Sequence, residues 1–268
     1  MSTFMSTQRS MSSLAILTVH KPAPYTPMNA DIFPPAMPHG QFTELYPDVF
    51  FLTGTMRAEL LGSDWQFSRN MIVVRQGRDL SIINTVRLGA AGLAQLDELG
   101  TVKHILRIGD LHGLDDAFYV ARYPGAEYWG LSGMTEKNGV APKLFLTPDG
   151  RRPFDDCSIF TFATTNRPEC ILRMDREGGV MLACDALQNW EVPNEFFDEN
   201  SEKLMREMGF FTKANCGVLW MMVNKPQPED FIRLKEIPFQ SALCGHGEPL
   251  LVDASNFYAA SFNRLFGV

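Results

Sequence analysis

A β-strand and the metal-capable side chains that follow it are encoded in one stretch, Val102-Lys-His-Ile-Leu-Arg-Ile-Gly-Asp-Leu-His-Gly-Leu-Asp-Asp116. Its apolar first half predicts a strand, and a helix is expected to begin at Asp115 or Asp116, where Asp115 suits the N-cap position. Gly113 leaves the backbone free to turn His112 and Asp115 into one cleft. Because ligand groups converge where strands give way to loops, this turn predicts a functional site.

Two later turns carry side chains of the same chemistry. Asp185 closes the apolar run 180–184, where an unpaired carboxylate would be costly to bury, so it needs a cation, hydrogen-bond donors or water. His246 lies between two glycines after the apolar run 241–244, so the backbone can present its ring at a turn. Imidazole and carboxylate together are the ligands of hydrolytic zinc, iron or manganese centres.

The sequence therefore predicts a metal site with five candidate ligands, His112, Asp115, Asp116, Asp185 and His246. Asp115 and Asp116 are also the candidate catalytic carboxylates, and one zinc or iron ion is the expected cofactor. For two of the five, His112 and Asp185, a purely structural role stays open. A histidine after a strand, as at 112, is often a packed residue, and a carboxylate at 185 would equally cap a helix over 186–190.

Composition narrows the class of partner. With 45% hydrophobic and 21% charged residues, the 268-residue chain is typical of a globular protein with one large domain or two lobes. A net charge of -7 without a basic run disfavours nucleic acid, and apolar runs such as 217–223 are too short for a membrane span. We expect a small-molecule substrate, and the sequence leaves the oligomeric state open.

The N-terminal segment is predicted to be separate from the domain. Residues 1–40 form a flexible extension by composition, since six prolines fall between positions 22 and 38, and the domain covers 41–268. Five cysteines without a CxxC pair favour a reducing compartment, so we expect a cytoplasmic protein. The first 30 residues lack Asp and Glu and are rich in Ser, Thr and Met, so an organellar targeting segment is the alternative.

Period-2 patterns predict strands through both halves of the chain, and 3.6-residue periodicity predicts helices over 88–99 and 250–266. From about Phe42 to Phe262 the chain resembles the metallo-β-lactamase-fold superfamily. The resemblance rests on a strand followed by Asn-Thr at 81–85, on the stretch 103–116, on the strand before Asp185 and on Leu243-Cys-Gly-His246. It implies an α+β fold, a four-layer αββα sandwich of two mixed β-sheets with outer helices, and one or two zinc or iron ions at the sheet edges.

The chain departs from the motifs of this superfamily. Only His112 remains of the two histidines that open the HxHxDH motif, one position out of register, and Asp116 stands where its last histidine would be. The position of the superfamily's middle histidine corresponds to residues 164–168, which contain no histidine, and Asn166 is the nearest match. We therefore predict a divergent branch with a degenerate motif.

Three functions follow from these observations. The first is a metal-dependent hydrolase of an ester, thioester or phosphoester. The second is a non-catalytic binding or scaffold protein that kept the fold and lost the metal. A redox protein with iron is the third, because a carboxylate-rich ligand set suits iron.

Overall fold

The computed structural model describes residues 33–268. Most of the predicted extension, including the candidate targeting segment, lies outside the described residues. Residues 33–40 contact the domain: the Phe33 ring lies 5.3 Å from that of Phe118, and His39 Nε2 accepts a hydrogen bond from Gly89 N at 2.9 Å. The predicted boundary at residue 41 stays a prediction.

The larger sheet has seven strands in chain order and contains both kinds of pairing. Its first four strands pair antiparallel, and the remaining pairings are parallel. The strands are β1 (Thr43–Tyr46), β2 (Val49–Leu60), β3 (Ser63–Gln76), β4 (Asp79–Ile83), β5 (Thr101–Leu106), β6 (Glu127–Gly130) and β7 (Leu144–Phe145).

The smaller sheet has four strands and is also mixed. They are β8 (Cys157–Thr161), β9 (Cys170–Met174), β10 (Val180–Leu182) and β11 (Ser241–Leu243). The order is β11-β10-β9-β8, with β10 and β11 parallel and the other pairs antiparallel.

Helices cover the outer faces of both sheets. Within residues 33–268 they are α1 (Ala90–Leu99), α2 (Asp116–Arg122), α3 (Glu199–Glu207), α4 (Val218–Asn224), α5 (Pro228–Lys235) and α6 (Ala254–Phe266). Side chains of α1 and α2 pack against the seven-stranded sheet, and those of α4, α5 and α6 pack against the four-stranded sheet. None of these helices has the length and apolar character that a membrane crossing requires.

Alternation along the strands builds the layers. On β3, Ile72 and Val74 face the core between the sheets, whereas Met71 and Val73 face the helices outside. On β10, Val180 and Leu182 face inward and Met181 faces outward. Both faces of each sheet are therefore buried, and the predicted αββα sandwich of two mixed sheets is confirmed.

Two helices differ from the sequence prediction, and one hairpin forms an apolar cluster of its own. Helix α6 begins at Ala254 rather than 250, because Leu250 pairs with Ala242 through two backbone hydrogen bonds of 2.8 and 3.0 Å. Helix α4 lies in a Met-rich segment to which the sequence assigned no helix. The β2–β3 hairpin continues to Leu60, and its distal end forms a separate apolar cluster around Trp65 with α3.

Candidate metal centre

Three of the predicted ligands meet at one point. His112 lies in the turn after β5, Asp185 follows β10, and His246 lies in the turn after β11, so both sheets contribute at their adjoining edges. The Nε2 atoms of the two histidines are 3.1 Å apart. Asp185 Oδ1 lies 3.4 Å from His112 Nε2 and 3.2 Å from His246 Nε2.

The size of this triangle suits a single ion. Ligand atoms at about 2.0–2.1 Å from a tetrahedral zinc ion are roughly 3.3 Å from one another. The three observed separations, 3.1, 3.2 and 3.4 Å, bracket that value. Three donors on one side of an ion leave further coordination positions for water or substrate, as a catalytic site requires.

His246 is held in the tautomer that a ligand needs. Its Nδ1 lies 3.0 Å from Ser68 O, a carbonyl that can only accept, so Nδ1 carries the proton and Nε2 offers its lone pair. The ring is buried against Phe67 and Trp190, with centroids at 5.7 and 4.9 Å. The hydrogen bond to Ser68 O and the contacts with these two rings therefore fix the orientation of the imidazole.

The turn around His246 is fastened by β3. Asn70 Nδ2 donates to Cys244 O at 2.9 Å and to Gly247 O at 2.6 Å. Gly247 has φ +86°, and a Cβ there would lie 2.1 Å from the backbone carbon of Asn189, so only glycine fits. The glycine after His246, which the sequence showed, is thus a packing requirement.

The protonation of the cluster favours a cation. Burial lowers the pKa of His112, and the charge of Asp185 offsets this only in part. Burial would raise the pKa of Asp185, but the neighbouring His112 and then His246 outweigh it and hold that pKa below its usual range. A neutral imidazole and an ionised carboxylate are the forms that bind metal ions.

Solved structures of metallo-β-lactamases have a similar fold. FIM-1 of Pseudomonas aeruginosa, a metallo-β-lactamase in its mono-zinc form, is similar with a TM-score of 0.54 and 13% identity, over 86% of this chain and 97% of its own. A metallo-β-lactamase from Hirschia baltica is similar with a TM-score of 0.53 and 12% identity, over 84% of this chain and 98% of its own. A metallo-β-lactamase from Pontibacter korlensis is similar with a TM-score of 0.53 and 11% identity, over 83% of this chain and 98% of its own. This chain has the metallo-β-lactamase fold. Neither a family model nor a curated protein sequence matches it.

Within this metallo-β-lactamase fold, Asp115 and Asp116 lie outside the ligand triangle. Asp115 pairs with Arg69 and also accepts the backbone N–H of Arg87 at 2.8 Å, and it makes no side-chain cap to α2. Asp116 is buried and accepts from Thr85 Oγ1 and Tyr128 OH, both at 2.6 Å. Both carboxylates stabilise the turn that carries His112. The structure does not bring either of them next to the other ligand atoms of the triangle.

The structure shows a second cluster of possible ligand atoms, which includes a residue, Glu169, that the sequence did not single out. Glu169, Cys184 and Asp185 place ligand atoms within 4.8 Å of one another. Burial raises the pKa of the Cys184 thiol well above its usual range, so a metal ion bound there would have to displace the thiol proton. Burial likewise raises the pKa of Glu169, which accepts Ala186 N at 2.5 Å. Glu169 therefore supports the segment after Asp185, and only its position at the start of a predicted strand could have suggested this.

A cavity of about 140 Å³ opens over the triangle in this metallo-β-lactamase fold. Apolar and aromatic side chains form much of its wall, with Met56, Leu60, Phe67, Trp190, Phe210 and Trp220 among them. Three cationic side chains, Arg69, Lys137 and Arg167, line it as well. Asn166, which falls near the expected middle histidine, is exposed and donates to Val223 O at 3.0 Å, away from this wall.

Proposed function

We propose that the protein is a metal-dependent hydrolase with one zinc or iron ion held by His112, Asp185 and His246. The observation that carries the proposal is the ligand triangle, with edges of 3.1–3.4 Å, at the base of a cavity. Two nitrogen donors and one carboxylate suit both metals.

A bound ion supplies two things to hydrolysis: it polarises the substrate oxygen and lowers the pKa of water at the site. The chain supplies the rest. Ser68 O keeps the proton of His246 on Nδ1, so that Nε2 stays available. Trp190 and Phe67 exclude bulk water from one side of the site and so strengthen its electrostatic interactions.

The residues around His112 have a positioning role in this proposal. Asp115 and Asp116 are engaged by Arg69, Thr85 and Tyr128, and they fix the turn between β5 and α2. The reactive substrate group is an ester, thioester or phosphoester, which presents an oxygen to the ion and the scissile bond to the cavity. We therefore expect activity to depend first on the three ligands, and on both aspartates only through the position of His112.

Metal content tests the proposal. Purified and reconstituted wild type should hold close to one equivalent of zinc or iron by plasma mass spectrometry, whereas His246→Ala and Asp185→Asn should hold little. His104→Ala is the matched control, since His104 lies on β5 and its ring contacts Ser81 Oγ at 2.9 Å, outside the triangle. A wild type without metal after reconstitution would favour the non-catalytic binding protein, and full metal in His246→Ala would contradict the ligand set.

Hydrolysis is tested next with p-nitrophenyl acetate, its thioester analogue and p-nitrophenyl phosphate. Metal-loaded wild type should cleave at least one of them faster than Asp185→Asn does, because the substitution removes the only carboxylate of the triangle. Equal rates in the two proteins would exclude hydrolysis at this site for these substrates.

A further inference from the structure

Strand β8 forms an open edge of the four-stranded sheet, where it is the last strand and has β9 on one side. Backbone pairing between the two strands alternates along an antiparallel ladder. Asp156 O accepts from Asp175 N at 2.9 Å, so the even-numbered residues of this stretch bond to β9. The N–H and C=O groups of the odd-numbered residues Cys157, Ile159 and Thr161 therefore point away from the sheet.

Most of these outward groups lack a partner. Arg233 Nη2 donates to Thr161 O at 2.9 Å. Within residues 33–268, the other outward backbone groups of Cys157, Ile159 and Thr161 make no hydrogen bond. Ile159 is only 7% exposed, and backbone groups that are nearly buried are rarely left unpaired. These groups therefore favour pairing with another strand.

The open stretch has definite ends and can be reached from outside. At one end Asp155 N donates to Gln76 Oε1 at 3.3 Å. At the other end Ala163 N donates to Asp230 Oδ1 at 2.9 Å. Between them a groove of about 430 Å³ runs beside the strand, and residues 158–161 line it. A short extended segment can therefore lie along the strand.

The other sheet edges are protected in ways that proteins commonly use against strand pairing. Leu250 covers β11 by exchanging backbone hydrogen bonds of 2.8 and 3.0 Å with Ala242. Strand β7 has only two residues, and β1 carries the exposed carboxylate of Glu44. Strand β8, by contrast, has five residues without a charge or a proline. Its sequence does not oppose pairing.

A cation lies at the Thr161 end of the open stretch. Arg233 of α5 donates to Thr161 O, and its guanidinium carbon lies 4.7 Å from the centre of the Phe160 ring. The Arg233 side chain is 49% exposed, although it also pairs with Asp230 at 2.5 Å. Arg233 can therefore contact a further carboxylate on an approaching partner.

A carboxylate lies toward the other end. Glu236 follows α5, is exposed and lines the groove, and it has no ion pair among residues 33–268. The next residues contact the start of β8, since Pro238 O accepts from Arg173 Nε at 2.7 Å and Arg173 is opposite Ser158 in the sheet. Arg173 itself pairs with Asp175 at 3.1 Å. The two ends of the groove therefore carry exposed charges of opposite sign.

We propose that β8 pairs with β8 of a second copy of this chain, antiparallel about Ile159. In this register Ile159 bonds to Ile159 of the second copy, and Cys157 lies opposite Thr161, so all the outward groups gain backbone partners. The two-fold axis also places Arg233 of each copy beside Glu236 of the other. The groove and the cavity over the ligand triangle share no lining residue within the described chain, so the pairing does not depend on the proposed hydrolase.

Sedimentation velocity of the full chain from about 1 to 200 µM tests the pairing, because a contact made by one pair of strands is small and associates weakly. Wild type should shift from monomer to dimer in this range, and hydrogen exchange at 157–161 should slow as the dimer forms. Thr161→Pro should stay monomeric, because proline lacks the outward N–H and costs no hydrogen bond in the monomer. Thr161→Val keeps the N–H and should dimerise as wild type does.

Glu236→Lys tests the charge pairing separately. It should raise the dissociation constant of the dimer by about tenfold or more, because both contacts with Arg233 change from attraction to repulsion. Glu229→Lys makes the same change of charge at an exposed position of α5 outside the groove, and it should leave the constant nearly unchanged.

Four results would overturn the proposal. A wild type that stays monomeric at about 200 µM would leave the edge to another occupant, such as an extended peptide. A dimer that persists in Thr161→Pro, or that leaves exchange at 157–161 unchanged, would place the interface elsewhere. Slow exchange at 157–161 at every concentration would assign the edge to a segment of the same chain. Equal dissociation constants for Glu236→Lys and wild type would contradict the antiparallel register.

Discussion

Asn70 fastens the turn that carries His246, so replacing it with alanine should weaken both the fold and metal binding. The Asn70 amide is 1% exposed and makes three hydrogen bonds. Two run from Nδ2 to Cys244 O and Gly247 O, and the third is accepted by Oδ1 from Thr53 Oγ1 at 2.9 Å. Asn70→Ala leaves all three partners without the amide.

The size of the effect follows from this count. At about 1 kcal/mol for each net hydrogen bond, Asn70→Ala should lower the free energy of unfolding by about 3 kcal/mol. For a domain of this size, about 2–4 °C is lost for each kcal/mol, so Tm should fall by roughly 6–12 °C. Groups that orient a metal ligand typically contribute a factor of about 10–100 to metal affinity, and zinc affinity should fall within that range.

Urea denaturation followed by tryptophan fluorescence measures the first quantity, and competition with a chromophoric zinc chelator measures the second. Asn200→Ala is the control, because Asn200 is exposed and makes only a 3.4 Å contact to Asp64 O. It should change stability by less than about 0.5 kcal/mol. Equal stability and equal zinc affinity in Asn70→Ala and wild type would refute the role of Asn70.

Three further experiments perturb the bound metal, Glu169 and Tyr128. Removing metal with EDTA should lower the unfolding free energy by about 2.7 kcal/mol relative to protein in zinc at a hundred times Kd, and Asp185→Asn should show no such difference in differential scanning fluorimetry. The pKa of Glu169 is raised, first by burial and then by the charge of Asp185, so the folded chain keeps a proton that the unfolded chain releases above about pH 4.5. The stabilisation of the folded state by this proton is complete below that pH and is lost as pH rises toward the pKa of Glu169 in the folded chain. In urea titrations, Glu169→Gln should therefore become more stable relative to wild type as pH rises from 5 to 8. Tyr128→Phe removes the 2.6 Å bond to Asp116 and should cost about 1–2 kcal/mol while metal content stays at the wild-type level; loss of metal would return Asp116 to the ligand set.

Much of the fold could be predicted because its signals are local. Strands buried on both faces, such as β9 and β10, appear as short apolar runs, whereas the arrangement of the strands in two packed sheets was implied by the family resemblance. Helix α4 could not be predicted, because its seven residues are too few to show periodicity and a glycine precedes them, whereas the equally short α2 follows Asp115, a residue that favours a helix start. The start of α6 depends on the pairing of Leu250 with Ala242 across the turn that carries His246, which helical periodicity alone does not reveal.

The site could be predicted only in part, for a geometric reason. The Gly-His-Gly sequence shows that His246 sits in a turn, and the end of an apolar run shows where Asp185 lies. Whether Asp115 or Asp116 would reach the other ligands depends on the direction of the turn at Gly113, which has φ +103°, and in the structure neither carboxylate reaches them.

Binding of one ion by His112, Asp185 and His246 is the property on which the proposed function depends. X-ray absorption at the metal edge of reconstituted protein tests it most directly, because nitrogen and oxygen ligands lie at about 2.0–2.2 Å and sulfur at about 2.3 Å. We predict only nitrogen and oxygen neighbours, with the outer-shell scattering of two imidazoles, and loss of one imidazole in His246→Ala. A sulfur neighbour would place the ion at Cys184 and Glu169 instead and would contradict the claim.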